Sequence, residues 1–137
     1  MVFGEGCVLV LLEAGDTATG EPLAEILPVH HRVAPRDDVT EVLTATVHAA
    51  LAEAGVSPGD VWAALPGDAP GTAGAQERRV HEALFDAPVR GRTASVALLG
   101  ETAAATGAFQ LAALLSEPGE PGRLALLTTT DPDGRSA

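Results

Sequence analysis

The chain has one cysteine, one tryptophan, three phenylalanines, no tyrosine and no lysine. A lone cysteine, Cys7, excludes an internal disulfide and a cysteine-rich zinc site. It sits in an apolar run, where the expectation is a small buried hydrophobe rather than a reactive thiol. Large aromatics usually anchor cores, so this core has to be built from small, close-packed side chains, mainly Ala, Leu and Val. With lysine absent, the basic residues are all Arg, 8 against 19 Asp and Glu, and the net charge is −11. Phosphate binding needs a basic patch, so this balance argues against nucleic acid. It argues equally against an anionic membrane surface, and its plain meaning is solubility. The run Val8 to Leu12 is closed by Glu5 and Glu13, and no stretch approaches a membrane span. Nothing resembles a signal peptide, so the expected localisation is cytoplasmic.

What is present suits one domain, 1–137: the chain is 137 residues long and 46% apolar. Cys7 to Leu12 and Leu23 to Val29 read as strands, joined as a hairpin through Gly15, Gly20 and Pro22. From Asp38, the apolar residues Val39, Val42, Leu43, Val47, Ala50 and Leu51 recur at helical spacing, and Gly55 stops that helix. Ser57-Pro58-Gly59-Asp60 is a turn, and Val61 to Leu65 a strand. Helices are expected at Gln76 to Phe85 and Thr102 to Leu115, with strands at Ala94 to Leu99 and Leu124 to Thr129. Strands alternating with helices indicate an α/β fold with a mostly parallel sheet.

Isolated polar residues carry little chemistry. His30 and His31 lie in a loop, His48 on the first helix and His81 on the second. None has a partner at metal-ligand spacing, so solvated or core-edge histidines are expected and no metal. Asp131 and Asp133 lack the further ligands of a calcium loop. Nothing calls for a cofactor.

The loops carry a stronger signal. Phe3-Gly4-Glu5-Gly6, followed by an apolar run ending in Glu13, resembles the G-E-G-A-G-x-L-V-L-E segment of β-ketoacyl synthases of the thiolase superfamily. Ala52 to Val61 looks like the helix–turn–strand before their first catalytic histidine. Pro66 to Glu77 aligns without a gap to their H-G-T-x-T-x-x-G-D-x-x-E loop, with Gly67 and Glu77 kept. Ser95 to Gly107 matches the K-x-x-x-G-H segment and its small-residue helix, with Gly100, Gly107 and Ala103 to Ala105 kept. Thr128 to Ala137 falls on the N-S-F-G-F-G-G-x-N-A loop. The resemblance covers nearly the whole chain and implies half of a thiolase-like fold: the C-terminal half, with a mostly parallel, mixed five-stranded sheet and packed helices.

The resemblance also implies what is missing. Family ketosynthases load an acyl chain on a cysteine thiolate, and two histidines assist decarboxylation of a malonyl unit. The first histidine falls at Pro66, which has neither a side-chain donor nor a backbone N–H. The second falls at Glu101, whose carboxylate would repel a developing enolate. The family lysine falls at Val96. The nucleophilic cysteine belongs to the N-terminal half, and Cys7 falls on a structural small-residue position. These replacements resemble those of chain-length factors, inactive partners of ketosynthases in type II polyketide synthases. The expected role is therefore a non-catalytic subunit that pairs with a ketosynthase or a separately encoded N-terminal half and meets an acyl carrier protein only indirectly. Arg78-Arg79 reads as a solvated helix face, although carrier proteins are acidic. Two alternatives are a small acyltransferase or hydrolase using Asp68 and Glu101 as acid–base groups, and a fragment of a longer ketosynthase-like protein.

Overall fold

The computed structural model describes residues 6–34, 39–85, 100, 102, 105–116 and 121–130. Helix α1 spans Val39–Glu53, a short 3₁₀ turn Pro58–Asp60, strand β1 Val61–Leu65, helix α2 Thr72–Leu84, helix α3 Thr106–Ser116 and strand β2 Leu124–Leu127.

The expected face of α1 is the one it buries: Val47 is 2% exposed and Leu51 6%. The helix ends where the sequence puts a glycine. Gly55 has φ +70°, a conformation costly to a residue with a Cβ. There Gly55 N–H bonds the Ala52 carbonyl at 3.1 Å and Val56 N–H the Leu51 carbonyl at 3.0 Å, so the last carbonyls are capped in a Schellman arrangement. The following turn is closed by Asp60, whose Oδ2 accepts from Ser57 N–H at 2.8 Å and Ser57 Oγ at 2.6 Å. Those bonds favour the carboxylate and hold the Asp60 pKa below its ordinary value.

Strand β1 is buried on both faces except at Trp62, as a covered parallel strand should be. It pairs in parallel with β2, Val61 opposite Leu124 and Ala63, Ala64 and Leu65 opposite Ala125, Leu126 and Leu127. The register is irregular between Val61 and Ala63, where the Trp62 ring carries the Arg123 guanidinium 4.9 Å from its centre. Helices α2 and α3 lie in the connection between the two strands. Val47, Leu51, Val61, Ala64 and Phe85 form the core, with Leu43, Val56, Leu84 and Leu126 packed around it.

Several expectations change. Helix α2 starts at Thr72, earlier than Gln76, because Gly71 at φ +79° turns the chain directly into it. Helix α3 begins at Thr106 rather than Thr102, and β2 ends at Leu127 rather than Thr129. The N-terminal hairpin is not formed: neither Cys7 to Leu12 nor Leu23 to Val29 is in a strand, and Cys7 is exposed rather than buried. Two strands left to each other would bury too little on either face to hold together. Among the described residues the sheet has two strands, not five. The expected strand Ala94 to Leu99 lies outside the described residues.

Candidate functional site

The loops leaving β1 and β2 meet the buried face of α2. Glu77 and His81 stand one turn apart on that face and are 0% and 1% exposed. Thr128, just past β2, sits between them. Its Oγ1 donates to Glu77 Oε1 at 2.6 Å and lies 2.7 Å from His81 Nε2. A hydroxyl has one proton, so a Thr128 that donates to the carboxylate must accept from His81, which assigns the Nε2–H tautomer. His81 Nδ1 then carries a lone pair, is buried, and has no hydrogen-bond partner among the described residues. Thr130 Oγ1 donates to Glu77 Oε2 at 3.2 Å.

Burial pushes the Glu77 carboxyl above its ordinary pKa; bonds from Thr128, the Gly67 backbone and Thr130 pull it back, while nearby Asp68 pushes it up. Burial also pushes His81 down, from 6.5 to about 4, against a smaller upward pull from Asp68. The imidazole is therefore neutral near pH 7. Its ring packs against Phe85, with centroids 5.7 Å apart.

The same junction holds Pro66. Its carbonyl accepts from Gln110 Nε2 at 2.5 Å, and the Leu65 carbonyl accepts from Gln110 Nε2 at 3.3 Å and from Thr128 N–H at 3.0 Å. Gln110 thus ties α3 to the end of β1. Gly67 lets the two loops touch, since a Cβ there would lie 3.1 Å from Thr129 Cα and 3.2 Å from the Thr128 carbonyl. Asp68, at φ +53°, is paired with Arg78 Nη1 at 2.8 Å.

This arrangement ties two loops to a helix through the Thr128 hydroxyl, shared between the Glu77 carboxylate and His81 Nε2, and through the Gln110 amide. Val96, Glu101 and the pair Asp131 and Asp133 lie outside the described residues, and with Glu101 the expected Asp68/Glu101 pair. Among the described residues no group of three His, Cys, Asp or Glu side chains could hold a metal ion. No helix among them is long and apolar enough to cross a membrane.

His81 corrects the sequence reading, which left it solvated or at a core edge. The i, i+4 spacing of Glu77 and His81 on one helix face was the available signal. Gln110, set in an Ala- and Leu-rich helix, gave only its polarity.

No protein-family model and no curated protein matches the chain. A solved structure does: the ishigamide ketosynthase/chain length factor, 41% identical over 89% of this chain, with a TM-score of 0.81. The chain has a ketosynthase/chain-length-factor-like fold. It covers 35% of the neighbour's chain, about a third of its length. In this ketosynthase-like scaffold, Gly67 and Glu77 both lie at the β1–α2–β2 junction.

Proposed function

We propose that this chain is a non-catalytic, chain-length-factor-like subunit of a bacterial type II polyketide synthase. It pairs with a ketosynthase, or with a separately encoded N-terminal half, stabilises that partner and helps shape the acyl-chain tunnel. The observation that carries the reading is Pro66. The position that the resemblance gives to the first catalytic histidine holds a residue with no side-chain donor, and its carbonyl is already bound by Gln110. Beside it the buried Glu77 carboxylate has its donors Thr128 and Thr130 in place. A ketosynthase-like fold with proline at that position suits a structural partner. The likeness to a ketosynthase/chain length factor supports the same class.

Co-expression with the ishigamide ketosynthase tests it. The expected outcome is a one-to-one complex whose acyl products, built on a carrier protein from malonyl units, differ in length from those of the ketosynthase without this chain. The purified chain alone should not condense acyl units, and Pro66→His should not create that activity. Condensation by the chain alone would sink the reading.

A further inference from the structure

Every large hydrophobic side chain that stands exposed among the described residues falls within residues 9–33: Leu9, Leu11, Leu23 and Val29 are 95%, 85%, 85% and 82% exposed, with Leu12, Val33, Ile26, Leu27 and Val10 less so. The pattern is confined to one arm. This arm is held at both ends. Gly6 lies against the Phe109 ring, where a Cβ would collide with it, and His30 Nε2 pairs with Glu53 Oε2 at 2.9 Å at the end of α1. Between these anchors the described backbone bonds only to itself, at the turn where the Ala14 carbonyl accepts from Thr17 and Ala18. Among the described residues, the two runs of strand-forming residues, Val8 to Leu12 and Leu23 to Val29, are therefore displayed without strand partners.

We infer that this arm is a docking surface for a separate polypeptide that offers an open sheet edge flanked by basic residues. Unpaired backbone supplies the ladder, and the exposed Leu9 and Leu11 supply apolar anchors. Charge selects the occupant. Glu13, Asp16, Glu21 and Glu25 border the apolar runs, with Arg32 as the arm's one full positive charge. A second copy would bring the same acids and a further net charge of −11. A partner with an arginine- or lysine-lined edge meets both the apolar and the acidic character.

The inference rests on the proposed pairing with a ketosynthase, and the test separates the two. Wild type and the double variant Leu9→Asp/Leu11→Asp are titrated against the ishigamide ketosynthase, with Glu82→Gln, on the exposed side of α2, as control. Leu9 and Leu11 lie outside the core, so the double variant should keep the wild-type thermal midpoint. Burial of two leucines predicts binding weakened on the order of 100-fold by the double variant and unchanged by the control. Equal binding by wild type and double variant overturns the arm and leaves the pairing standing. Arm-dependent binding without any change in product length keeps the arm and sinks the functional reading. No complex at all removes both. A dimer of the chain alone, abolished by the double variant, overturns the choice of partner in favour of a second copy.

Discussion

Thr128 Oγ1 donates to Glu77 Oε1 at 2.6 Å, joining residues 51 positions apart and fastening the end of β2 to the middle of α2. The same oxygen accepts a hydrogen bond from His81 Nε2–H, so one hydroxyl serves two buried ionisable groups. Its removal leaves both short of a partner, in a setting too dry for water to replace it.

Thr128→Val should therefore destabilise the chain by roughly 2–4 kcal/mol, the cost of orphaning two buried polar groups at once. Thr128→Ser, which keeps the hydroxyl, should lose less than half of that. Chemical denaturation of both variants reads the difference. A small loss in the valine variant would mean that the network contributes little.

Stability should depend on pH through the same pair, with opposite signs. The His81 pKa is lowered by folding, so its contribution is complete above 6.5 and is lost as the pH falls toward about 4. That span corresponds to roughly 3 kcal/mol. The Glu77 pKa is raised by folding, so its contribution declines as the pH rises above 4.5. Between the two the wild type should show a muted slope. His81→Gln should leave only the decline with rising pH, and Glu77→Gln should steepen the loss on acidification. Unfolding curves from pH 4 to 7 check both signs.

Gly74 lies in the first turns of α2, where alanine would be the better helix former by about 1 kcal/mol. Packing decides against it, because a Cβ at Gly74 would run into the Ala69 carbonyl. That atom is backbone, which cannot swing aside. Gly74→Ala should lower stability by about 1–3 kcal/mol, the usual range for overpacking. A thermal midpoint at or above wild type would show that the loop 69–71 gives way freely.

Gln110→Met keeps the volume of the side chain and removes its donor. The Leu65 carbonyl retains Thr128 N–H, whereas the Pro66 carbonyl loses its only partner among the described residues. The expected loss is about 1–2 kcal/mol. Gln110 Oε1 is buried without a partner among the described residues, and its removal offsets part of the change. Denaturant midpoints of wild type and variant measure the balance.

The local elements were legible in the residues because their causes are local. Apolar spacing from Val39 to Leu51 places α1, Gly55 ends it, and the apolar run at 61–65 marks β1; each depends on neighbours a few positions away. The loop lengths also carried the ketosynthase likeness, and with it the expectation that Pro66 stands where the family has a histidine. The burial of His81 was not legible, because its partner is 47 positions distant and an isolated histidine in a sequence looks like a solvated one. Nor was the state of the N-terminal runs. Val8 to Leu12 and Leu23 to Val29 have the composition of strands, but a strand also needs an edge to bond to, and composition does not say whether one is there. Sequence alone thus determined which segments could become helix or strand and which family they resemble. The tertiary structure decided which polar groups are sealed inside and which apolar segments are left on display, because both depend on contacts between parts of the chain that are remote in sequence.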